Sequence, residues 1–264
     1  MIKLEHINVK YQTQQALKDV TLKIEAHEKV GILGESGSGK STLASVMLGE
    51  VAPQSGQVVS TFQYILPIYQ HAVHAFNPKL SIEASMNEAF HYNQKKREFY
   101  CHYRDEHMHQ MQLSETLLKR YPSALSGGQL QRFNVIRTLM LQPDLLICDE
   151  VTAHLDVIAE DKMAQQLNEH AKRTQKAMVI ISHDIAFLQK IVSRIIVLKA
   201  GEIVDAFPIE NFHIIKNPCS HRLFREQGLS FTVCVSVEWF RKSYYQYIEQ
   251  HVHFRSHRSG YKKH

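Results

Sequence analysis

Two stretches of the chain carry residue types whose spacing suits phosphate chemistry. Gly34-Glu35-Ser36-Gly37-Ser38-Gly39-Lys40-Ser41, followed by Thr42, fits G-x-x-x-x-G-K-[ST]. Glycines at those steps let the backbone curl so that successive N–H groups face one anion, and a following helix N-terminus adds to the field. Lys40 then reaches the β- and γ-phosphates of a nucleotide, and the Ser41 hydroxyl reaches Mg2+. Further along, Leu145-Leu146-Ile147-Cys148-Asp149-Glu150 is an apolar run ending in two carboxylates. Alone, such a pair reads as the solvated end of a strand. Downstream of a phosphate loop, Asp149 reads as a holder of Mg2+ and Glu150 as a general base that polarises water.

A third stretch, Leu125-Ser126-Gly127-Gly128-Gln129, precedes apolar Phe133, Ile136, Leu139 and Met140 at helical spacing. Ser126-x-x-Gln129 is a capping-box pattern, so it predicts a helix start with bare glycine amides turned outward.

The elements that must position these residues are legible from periodicity. Ile2 and Leu4, Ile7 and Val9, and Val20, Leu22 and Ile24 alternate with polar residues, as half-exposed antiparallel strands do. Val30–Leu33, Leu145–Cys148, Met178–Ile181 and Ile195–Leu198 are continuous apolar runs, the pattern of strands covered on both faces of a parallel sheet. Helical stretches at 41–49, 157–172 and 184–192 lie between them. An α/β core with an added antiparallel sheet is expected. Residues 79–125 read as an inserted, mostly helical subdomain, with Ile82, Met86, Ala89 and Phe90 on one face and a polar stretch rich in His and Tyr over 91–112.

Composition excludes several classes. With 44% hydrophobic and 22% charged residues among 264, the chain can bury a core, which argues against general disorder. No apolar run approaches the ~18 residues of a membrane helix, and the start MIKLEHINVK has no apolar segment of a secretory signal. Cys101, Cys148, Cys219 and Cys234 lie far apart and read as free thiols. The net charge of +5 is concentrated late: residues 241–264 hold six Lys/Arg against Glu249, with His251, His253, His257 and His264. This tail, from 229 onward, reads as solvated and poorly ordered rather than as a metal site.

The phosphate loop, the Ser126–Gln129 motif and the Asp149-Glu150 strand, in that order, resemble the ATP-binding cassette (ABC) family over roughly residues 1–220. The resemblance implies an ABC-type P-loop nucleotide-binding domain with an antiparallel β-subdomain and an inserted helical subdomain, an ATPase using ATP and Mg2+. It implies that Tyr11 stacks on adenine and that Gly34 to Thr42 hold the phosphates. It implies that Gln70 senses Mg2+ and the attacking water, that His183 contacts the γ-phosphate, and that Ser41, Gln70 and Asp149 serve Mg2+. Ser126, Gly127, Gly128 and Gln129 would act on the ATP of a partner subunit, and Asp156 would communicate across that dimer. Taken alone, Tyr11 reads as an ordinary strand tyrosine and His183 as a structural histidine. The cross-dimer loop reads Ala153-His154-Leu155-Asp156, a departure from the family's Ser-Ala-Leu-Asp.

Within the family, Gln70-His71-Ala72-Val73-His74-Ala75-Phe76-Asn77-Pro78, Tyr121 to Arg132, and Asn217-Pro218-Cys219-Ser220-His221-Arg222-Leu223 resemble the dipeptide, oligopeptide and nickel importer ATPases. His71, Leu66-Pro67-Ile68 and Phe133-Asn134-Val135 resemble most the importers of metals bound to opine metallophores of the staphylopine type. The resemblance implies a cassette over 1–228, with its helical subdomain at 79–125 and the tail at 229–264. It implies a peripheral location on the cytoplasmic face of the cell membrane. Expected partners are two permease subunits, a sister ATPase forming a heterodimer, and an extracytoplasmic substrate-binding protein, with no nucleic acid. A dipeptide or oligopeptide importer is the alternative cargo, and a soluble non-transport ATPase the alternative class.

Overall fold

The computed structural model describes residues 1–91, 97–152 and 155–214. The tail expected from 229, the segment 217–223 and the loop residues Ala153 and His154 lie outside them. Strands β1 (Ile2–Tyr11), β2 (Gln14–Ile24) and β3 (Lys29–Leu33) lead into helix α1 (Lys40–Leu48). Strands β4 (Ser55–Ser60) and β5 (Ile65–Ile68) then precede α2 (Ile82–His91), α3 (Arg97–Gln110) and α4 (Gly127–Met140). The chain continues through β6 (Leu145–Asp149), α5 (Val157–Thr174), β7 (Ala177–Ile181) and α6 (Ile185–Gln189), then β8 (Arg194–Lys199) and β9 (Glu202–Pro208).

Two sheets result. The antiparallel one has the order β2-β1-β4, and the main sheet has the order β5-β6-β7-β3-β8-β9. In the main sheet β5, β6, β7, β3 and β8 run parallel, and only β9 is antiparallel. Alternation along each strand divides the core. Leu145 and Ile147 of β6 turn with Val179, Ile181 and Ile196 toward Leu43, Val46 and Met47 of α1 and the buried side of β1 and β2. Leu146, Cys148, Met178 and Ile180 turn to the other face, against α4, α5 and α6. The period of two in a pleated strand thus builds a three-layer molecule with the parallel sheet in the middle.

Three elements carry little periodic signal in the sequence. Strands β4 and β9 are edge strands with little burial, so their sequences lack the apolar signal. The polar stretch at 91–112 holds a 14-residue helix, α3, whose inner face is made of Tyr100, Tyr103, His107 and Met108. Aromatic and histidine rings there occupy the places that Leu or Ile usually fill. Among the described residues, no helix is long and apolar enough to cross a membrane.

Candidate functional site

Because β5, β6, β7 and β3 are parallel neighbours, their C-terminal ends lie along one edge of the sheet, where open α/β folds bind ligands. The loop after β3 carries Gly34 to Gly39, β6 ends at Asp149-Glu150, β7 is followed by Ser182-His183, and β5 by Gln70. They meet in a cleft of about 520 Å3 lined by Tyr11, Gly34, Ser36, Gly37, Gly39, Lys40, Ser41, Thr42, Gln70, Asp149, Glu150 and His183. Gln14 and Ala16 from the start of β2 complete the wall. They had no signal in the sequence, because only the folding of the antiparallel sheet over the loop brings them there.

The loop is shaped by two close approaches. A Cβ on Gly34 would fall 2.3 Å from the Leu198 carbonyl oxygen, so no larger residue fits between the loop and β8. Gly39, the N-cap of α1, has φ of 104°, a left-handed conformation that costs any residue with a side chain. Lys40 Nζ donates to the carbonyls of Gly34 and Glu35, each at 2.8 Å, which curls the loop around the ammonium. Burial pulls the Lys40 pKa down, opposed by the charges of Glu150, Asp149 and Glu35. Of the expected loop residues, the side chains of Glu35 and Ser38 do not line the cleft: Glu35 is exposed and Ser38 is buried beneath the loop.

Asp149 is arranged as a cation holder. Burial pushes its carboxyl pKa up, against a hydrogen bond from the Ser41 hydroxyl and the charge of Lys40. Its Oδ1 is buried and has no hydrogen-bond partner. A carboxylate oxygen left bare beside a hydroxyl, next to a phosphate loop, fits a hard divalent cation. Glu150 behaves differently. Its backbone takes a φ of 49°, a left-handed conformation that costs a non-glycine residue about 1–3 kcal/mol and concentrates at functional sites. Its N–H donates to the Ile181 carbonyl at 3.0 Å, which ties the strained residue to β7. Its Oε2 lies 2.9 Å from His183 Nδ1, with the carboxylate side chain 16% exposed and the histidine 73%. The strain turns the second carboxylate away from the first, so that one faces Ser41 and the other His183.

The remaining expected residues stand elsewhere. Ser126 caps α4: its hydroxyl accepts from the Gln129 N–H at 3.2 Å, and the Gln129 side chain accepts from the Ser126 N–H at 3.1 Å. The capping box expected from sequence is formed. Gly127 is exposed, and none of Ser126 to Gln129 lines the cleft. Asp156 caps α5 by accepting from the Ala159 N–H at 2.8 Å and is likewise outside the cleft.

Comparison with known proteins agrees with this geometry. The family described as "ABC transporter" matches residues 17–153. The chain is 44% identical over 231 residues to the nickel import system ATP-binding protein NikE of Staphylococcus aureus strain MSSA476, covering 84% of this chain and 97% of that protein. The NikE of strain USA300 is similar to the same extent, 44% over 231 residues. Among solved structures, the ATP-binding cassette MJ0796 in a dimeric post-hydrolysis state bound to ADP and Pi superposes with a TM-score of 0.71 at 27% identity, covering 79% of this chain and 99% of that one. An ATP binding subunit of an ABC transporter shares the fold, with a TM-score of 0.75 at 20% identity over 87% of this chain and all of that one. Matched by the family over more than half its length, the chain belongs to the ABC transporters, as one of their ATP-hydrolysing cassettes.

Proposed function

We propose that the chain energises an importer of nickel or of metal–metallophore complexes, as a peripheral subunit on the cytoplasmic face of the membrane. The observation that carries this reading is the 44% identity to NikE across 97% of that protein. Its partners are two permeases, an extracytoplasmic binding protein and a sister ATPase with which it forms a heterodimer. Residues 1–228 are the cassette, 79–125 its helical subdomain, and 229–264 a basic appendage.

In the cleft, Gly34 to Thr42 hold the phosphates through backbone N–H groups, Lys40 pairs with the β- and γ-phosphates, and Tyr11, which is 48% exposed, stacks on adenine. Ser41, Gln70 and Asp149 hold Mg2+, which when bound draws negative charge from the phosphate oxygens. Glu150 takes the proton of the attacking water, and His183 orients that carboxylate and meets the γ-phosphate. Ser126 to Gln129 stand outside their own cleft, as a motif serving the partner's ATP would, and Asp156 reports across that interface. ATP binds the closed pair of cassettes better than the open one, and this differential affinity moves the permeases.

The cleft of about 400 Å3 between β5, α2 and α4, lined by Leu66, Tyr69, His74, Glu88, Asn134 and Arg137, receives a helix of the permease. Nickel uptake tests the whole reading. Cells whose own gene is removed should regain uptake with the wild-type chain and not with Glu150→Gln. Uptake unaffected by the deletion would sink the importer assignment, and uptake restored equally by both would sink the role of Glu150 in energising it.

A further inference from the structure

Tyr69 stands between the two halves of the cassette, one residue before Gln70. Its phenol donates to Glu50 Oε1. Glu50 is itself fixed to the far end of α1, the helix whose first turn carries Lys40 and Ser41. Its N–H donates to the Ser45 carbonyl at 2.9 Å, and its Oε2 accepts from the Ser45 hydroxyl at 3.0 Å. On the other side, the Tyr69 carbonyl accepts from Gln131 Nε2 of α4 at 3.4 Å. Gln131 is buried, and its own Oε1 has no hydrogen-bond partner.

That carbonyl and the N–H of Gln70 belong to one peptide plane, which rotates only as a unit. Tyr69 also lines the second cleft, as do His74 and Arg137. We infer that Tyr69 is a positioning residue for Gln70: pinned to α1 by its phenol and to α4 by its carbonyl, it sets where Gln70 stands in the nucleotide cleft and passes to it any shift of α4 or of the second cleft. The inference rests on the role of Gln70 proposed above. Burial and the neighbouring Glu50 push the phenol pKa up to about 12, so Tyr69 keeps its donor proton at neutral pH.

The experiment measures ATP turnover on the assembled transporter, and nucleotide affinity and melting temperature on the full-length chain. Tyr69→Phe removes one oxygen and leaves the ring. It should lower kcat about 3- to 10-fold, the worth of one hydrogen bond, with KM for ATP and melting temperature unchanged. Glu50→Gln, which retains an acceptor for the phenol, should keep most of kcat, and Glu50→Ala should match Tyr69→Phe. Since Tyr69 acts through Gln70, adding Tyr69→Phe to Gln70→Ala should cost nothing further. If the losses from Tyr69→Phe and Gln70→Ala multiply, or if Tyr69→Phe leaves kcat at the wild-type value, the inference is overturned while Gln70 keeps its role. If Gln70→Ala itself turns over normally, both readings fall together.

Discussion

Two dense polar assemblies among the described residues are built on different terms. In the nucleotide cleft, groups are left short of partners: Asp149 Oδ1 is bare, Glu150 is held in a left-handed conformation, and Lys40 rests on loop carbonyls. Between α3 and α5, by contrast, the protein answers most of its own polar groups. The Tyr103 hydroxyl hydrogen-bonds with His170 Nδ1 at 3.1 Å, His107 Nδ1 donates to Gln166 Oε1, and Gln166 donates in turn to Gln110. Gln110 Nε2 reaches Glu169 at 3.2 Å, and the Arg173 guanidinium covers the Tyr103 ring at 4.8 Å while pairing with Glu106 at 3.2 Å. His107 Nε2 and His170 Nε2 are buried there without a partner. The bonds from side chain to side chain nonetheless fix one arrangement and join the helical part to the core, whereas the cleft leaves a bare carboxylate oxygen facing the space a ligand would fill. Substitutions in the cleft should therefore move chemistry and leave folding alone, and substitutions in the α3–α5 seam should do the reverse.

The sharpest separation comes from Glu150→Gln. It keeps the shape and removes the base, so turnover should fall about 100- to 10,000-fold while ATP still binds. Radiolabelled ATP hydrolysis beside a binding titration measures both, and near-normal turnover would break the comparison at its strongest point. Lys40→Ala acts a step earlier. Loss of a charge-assisted hydrogen bond to the phosphates should weaken ATP binding about 10- to 100-fold, read by fluorescence titration, with the melting temperature of the ligand-free chain little changed. Unaltered affinity would show that the ammonium serves the loop alone.

The two assemblies were not equally legible. The cleft could be read from sequence because backbone chemistry at Gly34 and Gly39 and the carboxylates after β6 demand particular residues at particular steps. The parallel strands were equally plain, since β6 and β7 are buried on both faces and admit only apolar side chains. The seam between α3 and α5 was not. Its buried positions are Tyr103, His107, Gln166 and His170, residues that read as surface until their partners, almost 60 or more positions away, are known. Gln14 and Ala16 were hidden for a related reason: nothing local marks a strand start as the wall of a cleft formed by a distant loop.

Acid should attack the seam before the cleft. Burial, with smaller help from His107 and Arg173, pushes the His170 pKa down to about 4, and burial lowers that of His107 as well, against the opposing charges of Glu106 and Glu169. The unfolded chain takes up a proton near pH ~6.5 that the folded chain refuses until about 4, so the unfolded state binds more protons within that window. Stability contributed by the neutral histidine is thus complete above ~6.5 and is lost as pH falls toward 4. Thermal melts across this range should show a declining melting temperature, and His170→Gln, which cannot titrate, should flatten part of the decline. An identical slope in the variant would place the acid sensitivity elsewhere.

The smallest effect is expected from Tyr103→Phe. The ring remains under the Arg173 guanidinium and against the His107 ring, whose centroid is 3.9 Å away, so packing is conserved and only the hydroxyl is lost. The bond to His170 Nδ1 then disappears and leaves a buried ring nitrogen without its partner. The cost of one such bond is about 1 kcal/mol, raised toward about 2 by the nitrogen left unpaired. Denaturant unfolding should therefore show a lower midpoint at an unchanged slope. ATP affinity and turnover should stay at wild-type values, because no residue of this seam lines the cleft. A loss of turnover without a loss of stability would erase the division between the two assemblies and make the seam part of the catalytic apparatus.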